Sequence, residues 1–141
     1  MKNIKTIICL FLSILFFTSC KSKQESNQNE ESFKNLTVEE VIILWEANPD
    51  IIVIDVRTPD EIAQTGAIEN SINIDFKASD FKASDFKEKI SALDKDKEYI
   101  LFCKSGNRSG QASKIMAEMG FSNINNLNNA GYEEFSKALS K

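Results

Sequence analysis

Two short runs of β-branched and aromatic residues, Ile51-Ile-Val-Ile-Asp55 and Glu98-Tyr-Ile-Leu-Phe102, stand between stretches that carry helix signals. Apolar runs of four or five residues without polar alternation belong to strands buried on both faces. Each is followed by a helix start. Thr58-Pro59-Asp60-Glu61 offers a threonine cap with proline in the first turn, and Asn107 opens an amphipathic segment that reaches Met119 and a capping Gly120. Upstream, Thr37-Val-Glu-Glu40 is a capping box for a helix running to about Glu46, ahead of Asn48-Pro49. Ile72-Asn-Ile74 reads as a further strand, Phe81–Ala92 as a helix, Asn123-Ile-Asn125 as a weak strand and Gly131–Leu139 as a terminal helix. Strands alternating with helices dictate an α/β fold, a mostly parallel sheet with helices on both faces.

The chain has 141 residues, enough for one domain plus appendages. Its first 19 residues differ in character from the rest. Lys2 and Lys5 precede an apolar run from Ile7 to Phe17, then Thr18, Ser19 and Cys20. A basic start, a short apolar core and small residues form a secretory signal peptide, and the run falls short of the roughly 20 apolar residues that span a bilayer. Phe17-Thr-Ser-Cys20 resembles a bacterial lipobox, which implies cleavage before Cys20 and lipid attachment to it. Residues 20–34 are polar and lack aliphatics over most of their length, as in a flexible tether. The expected organisation is therefore a signal peptide over 1–19, a lipid-anchored tether over 20–34 and a domain over 35–141. The protein is expected to be exported, on the periplasmic side of a membrane.

Composition excludes several functions. The formal charge is −4, and losing the two lysines of the first 19 residues takes it to −6. With no Lys/Arg cluster, the chain is not expected to bind nucleic acid. It contains no histidine, which removes Ser-His and Cys-His catalytic pairs and His-ligated metal. Its three cysteines, Cys9, Cys20 and Cys103, lie in unrelated contexts and cannot make a disulfide framework or a four-thiolate site. The chemistry is expected to need neither metal nor cofactor.

That chemistry is concentrated at Cys103. An apolar strand ends there, the polar loop Lys104-Ser105-Gly106-Asn107 follows, and a helix begins with Arg108 and Ser109 in its first turn. In parallel α/β sheets sites form at the carboxyl ends of strands, and a helix start presents unpaired N–H groups that cradle an anion. Loop amides together with Lys104 and Arg108 favour the thiolate, lowering the usual cysteine pKa of about 8.5 without a histidine base. Gly106 permits a backbone turn closed to other residues, and Ser105 and Ser109 offer hydroxyl donors. The competing reading is a plain core cysteine, since free cysteine is among the most buried residue types. A cationic, glycine-bearing loop directly after it weighs against that reading.

Cys103-Lys-Ser-Gly-Asn-Arg108 followed by Ser109 resembles the active-site loop of the rhodanese family. Asp55-Val-Arg57, Glu61 with Gly66-Ala-Ile68, Ile72-Asn-Ile74, Met119-Gly-Phe121 and Ala130-Gly-Tyr132 are similar to its other blocks, so the likeness covers about residues 35–140. It departs at Ala67, where many members have histidine, at Glu69-Asn-Ser71 in place of a Pro-Gly-Ala, and at Ala130, where glycine is common. The resemblance implies a thiosulfate-type sulfurtransferase. Cys103 would carry a persulfide, and residues 104–109 would bind small sulfur-containing anions. Asp55 and Arg57 would support the site from behind, and a small thiol or thiol protein would accept the sulfur. Related phosphatases and arsenate reductases use a loop one residue longer than the four residues between Cys103 and Arg108 here. A catalytically silent rhodanese module that binds a partner or senses redox state is the alternative from another class.

One feature falls between the matched blocks. Asp-Phe-Lys-Ala-Ser occurs at 75–79 and 80–84, with a third copy starting at Asp85. Phenylalanines five apart rotate by about 140° on a helix, so Phe76, Phe81 and Phe86 cannot share one stripe. The repeat reads as a duplication in a tolerant loop, or as an aromatic lip formed by Phe76 and Phe81.

Overall fold

The structure, a computed structural model, describes residues 32–76 and 83–141. The signal-peptide and lipid-attachment readings, Cys20 included, and Phe81 of the repeat lie outside the described residues. In chain order the elements are β1 (Lys34–Leu36), α1 (Val38–Ala47), β2 (Ile52–Asp55), α2 (Pro59–Thr65) and β3 (Ser71–Asn73). They continue with α3 (Ala83–Ile90), β4 (Glu98–Phe102), α4 (Asn107–Glu118), β5 (Asn123–Leu127) and α5 (Tyr132–Leu139). The strands form one parallel sheet in the order β1-β5-β4-β2-β3. This is the α/β architecture expected. No helix among the described residues is long and apolar enough to cross a membrane.

The sheet buries both faces because its central strands carry apolar residues at consecutive positions. In β4, Tyr99 and Leu101 join Phe86, Ile90, Ala112 and Met116 on the α3/α4 side, and Cys103 continues that face. Ile100 and Phe102 point the other way, into a second core with Val41, Leu127 and Phe135 from the α1/α5 side. All of these are at most 1% exposed. Both threonine caps form as the sequence dictates. The Thr37 N–H donates to Glu40 Oε2 at 2.8 Å and the Thr58 N–H to Glu61 Oε2 at 3.0 Å, with the reciprocal bonds also present.

Several expectations change. β5 extends to Leu127 rather than stopping at Asn125, with Asn125 and Asn126 both buried. Their Nδ2 groups find tertiary partners: Asn125 Nδ2 donates to the Tyr99 carbonyl at 3.1 Å, and Asn126 Nδ2 to Asn35 Oδ1 at 2.7 Å. β1 pairs in parallel with β5 and begins at Lys34, inside the segment read as tether, while Phe33 packs against the core. Phe76 is no exposed lip. It is 6% exposed and meets Phe86 edge-to-face at 5.0 Å, so the first copy of the repeat is anchored in the core.

Candidate active site

Cys103 follows the last residue of β4, at the carboxyl edge of a central strand, and is 1% exposed. The chain then turns through the loop so that backbone N–H groups converge on the sulfur. The Gly106 N–H donates to Cys103 Sγ at 3.1 Å, and the Ser109 hydroxyl lies 3.6 Å from it and 3.1 Å from the Gly106 carbonyl. Burial pushes the Cys103 thiol up. The amides of Ser105, Ser109 and Gly106, with the Ser109 hydroxyl, outweigh that and hold it below its ordinary value. The sulfur is thus an anion site made mainly by backbone.

Two glycines make this loop possible. Gly106 has φ +88°, and a Cβ there would lie 3.1 Å from the Asn129 nitrogen and 3.2 Å from the Leu127 carbonyl oxygen. Gly131 has an ordinary extended backbone, but a Cβ on it would overlap the Lys104 carbonyl. Next to it the Tyr132 N–H donates to the Cys103 carbonyl at 2.9 Å. The start of α5 therefore braces the loop from behind.

The residues expected at the site have distinct fates. Lys104 and Ser105 are exposed, and Lys104 lines a small cleft with Arg57, Glu61, Gln64, Thr65, Tyr132 and Glu133. The Asn107 side chain turns to its own helix, accepting from Gln111 Nε2 at 2.6 Å. The Arg108 guanidinium, expected to meet the incoming anion, is paired with a carboxylate of the fold. Its two terminal nitrogens donate to the two oxygens of Glu61 at 2.6 and 2.8 Å. The Arg108 hydrogen bond lowers Glu61 to about 2, against the opposing effect of its burial. Arg108 is raised in turn, by Glu61 first and further by the negative fields of Cys103 and Asp75.

Asp55 and Arg57 form a buried ion pair at 2.6 Å, with side chains 1% and 2% exposed. Arg57 also donates to Thr65 Oγ1 at 2.7 Å and the Gly66 carbonyl at 2.9 Å. The Tyr132 ring covers its guanidinium at 3.8 Å. Asn73 Nδ2 donates to the carbonyls of Asp55 and Arg57 at 2.9 and 2.8 Å, fixing the end of β2. This network ties β2, α2, β3 and α5 together beside the Cys103 loop. Glu61, Asn73, Gly131 and Tyr132 are the residues that reasoning on site chemistry from the sequence did not single out. Their partners are far away in the chain, 47 residues for Glu61 and Arg108.

A parallel sheet with a cysteine cradled at a strand end defines a class, the rhodanese-like α/β domain. A Rhodanese-like domain family model matches residues 37–138. The chain is 33% identical over 112 residues to a thiosulfate:glutathione sulfurtransferase of Saccharomyces cerevisiae, covering 75% of this chain and 77% of that one. It is 42% identical over 83 residues to a rhodanese domain-containing protein of Drosophila melanogaster, covering 55% and 75%. Among solved structures, a rhodanese-related protein of Thermoplasma volcanium aligns with a TM-score of 0.57 at 28% identity, covering 75% of this chain and 93% of that one. The chain belongs to the rhodanese family. Membership and these relatives support a rhodanese-type sulfurtransferase in general terms.

Proposed function

We propose that this domain moves sulfane sulfur through a persulfide on Cys103, taking it from a donor such as thiosulfate and passing it to a thiophilic acceptor. The Cys103 thiolate attacks the outer sulfur of thiosulfate. The bond from that sulfur to the sulfonate breaks, sulfite leaves with the electron pair, and Cys103 carries a persulfide anion. Cyanide or a thiolate then attacks the outer sulfur of the persulfide, leaving as thiocyanate or a new persulfide and returning the Cys103 thiolate. Two easier displacements replace one transfer.

The observation that carries this reading is the convergence of the Ser105, Gly106 and Ser109 amides on the buried sulfur. Those donors stabilise the persulfide charge wherever it sits within the loop. Neither displacement needs a proton shuttle, in keeping with a chain without histidine. Lys104 draws the anionic donor to the mouth of the cleft, while Asp55 and Arg57 hold the loop's surroundings in place. The exported, lipid-anchored setting is part of the same proposal: Cys20 would fix the domain to the membrane on the periplasmic side. Metabolic labelling with palmitate, lost in Cys20→Ala, tests that part.

Treatment with thiosulfate followed by intact-mass measurement is expected to show one added sulfur atom, absent in Cys103→Ala. No adduct together with retained partner binding would point to a silent binding module. Phosphomonoester hydrolysis at a comparable rate would point to a phosphatase.

A further inference from the structure

The charges around Cys103 are arranged in an unexpected way for a site that receives small dianions. Arg57 is paired with Asp55 at 2.6 Å, and Arg108 with Glu61 at 2.6 and 2.8 Å. Lys104 shares its cleft with the carboxylates of Glu61 and Glu133. Asp75 lies close enough to Arg108 for its field to be felt there. Among the described residues, the two arginines near the loop are thus offset by carboxylates before any donor arrives, and the thiolate adds a negative charge of its own.

Glu61 is held in that position by more than Arg108. Its Oε2 accepts from the Thr58 N–H at 3.0 Å and from the Thr58 hydroxyl at 3.2 Å, so the carboxylate is fixed by the start of α2. The bidentate contact is the geometry in which arginine and a carboxylate satisfy each other best. A donor that used Arg108 would have to compete with an acceptor already built into the fold. A donor with one negative charge loses little by this. A dianion loses more, because among the described residues lining the cleft it meets a single cation that no carboxylate clamps, the exposed Lys104.

We propose that Glu61 is a specificity-determining residue of this site: by clamping the Arg108 guanidinium it biases Cys103 toward sulfur donors of single negative charge and against dianions. The inference rests on the sulfur-transfer reading and adds the charge class of the donor to it. Two probes share the chemistry and differ in charge. Thiosulfate, a dianion, yields the Cys103 persulfide and sulfite. Benzenethiosulfonate, a monoanion, is attacked at its outer sulfur in the same way and yields the persulfide and benzenesulfinate.

The experiment compares the rate constants of Cys103 persulfidation by the two probes in the wild-type protein and in Glu61→Gln. Glutamine at this position keeps an acceptor for the Thr58 N–H, so the capping box and the fold are retained. The thiosulfate-to-thiosulfonate ratio is expected to rise roughly fivefold in Glu61→Gln, the scale of freeing one partly exposed charge. The rise is expected to vanish in Glu61→Gln/Arg108→Gln, because it depends on the released guanidinium. An unchanged far-UV circular dichroism spectrum and a denaturation midpoint close to wild type are expected for Glu61→Gln, so that the ratio reads charge and not loss of structure. An unchanged or lower ratio in Glu61→Gln, or a rise that persists without Arg108, overturns the assignment. A wild-type protein that takes sulfur from neither probe defeats the sulfur-transfer reading itself.

Discussion

Two arginines flank the Cys103 loop, each bonded to a carboxylate, and the fold treats them differently. Arg57 is 2% exposed, pinned to Asp55, bonded to Thr65 and Gly66, and covered by the Tyr132 ring. Arg108 is 17% exposed, and its partner Glu61 27%. A buried pair has lost its hydration, so removing one partner strands an uncompensated charge. A pair near the surface can open and let water take over, so it contributes little to stability yet remains available to tune what approaches. The first arginine is built into the scaffold beside the loop and, on the proposed function, aims it. The second belongs to the electrostatics of its mouth.

The largest effect is expected from breaking the buried pair. Asp55→Ala leaves Arg57 without its main partner inside the protein and is expected to lower unfolding free energy by about 3–5 kcal/mol. Denaturant titration measures it; a loss below about 1 kcal/mol would place Arg57 with Arg108 and erase the distinction. Next comes the wall that carries Tyr132. Gly131→Ala forces a methyl group into the Lys104 carbonyl, so the loop must move. Overpacking of this kind costs about 1–3 kcal/mol, and persulfide formation is expected to fall at least roughly tenfold because the amides lose their aim. Activity close to wild type would show that the loop does not depend on this brace.

The surface pair should respond most weakly in stability. Arg108→Ala is expected to cost about 0–1 kcal/mol, while slowing persulfidation by thiosulfate more than by a monoanionic donor. The same pair is sensitive to acid in a defined window. Glu61 lies at about 2 in the folded protein, below its ordinary 4.5, so it contributes stability above the ordinary value and loses it as pH falls toward 2. Comparing acid unfolding of wild type with Glu61→Gln should show that added loss between those two values only in the wild type. Parallel curves would mean that the clamp does not form in solution.

Much of the fold was legible because its signals are local. A threonine three residues ahead of a glutamate signals a capping box, and a short β-branched run such as Ile52-Val-Ile54 is typical of a strand in a covered sheet. The Cys103 loop was legible for the same reason, since an apolar strand, a glycine turn and a helix start are contiguous. What was not legible depends on partners distant in sequence. The strand through Asn125 read as weak and as ending there, until Tyr99 and Asn35 are seen to receive the amides of Asn125 and Asn126. Arg108 read as a ready anion receptor because nothing within its own helix reveals Glu61 across the cleft. Gly131 carries no chemistry of its own, and its role shows only when the Lys104 carbonyl lies against it.

The backbone cradle around one sulfur atom is the claim on which the rest stands. The pH dependence of Cys103 alkylation by a small uncharged reagent tests it most directly, with Cys103→Ala as the blank. The midpoint of reactivity is expected below the ordinary thiol value, because the amides of the loop outweigh the effect of burial. A midpoint at or above that value would show a buried core thiol and contradict the account.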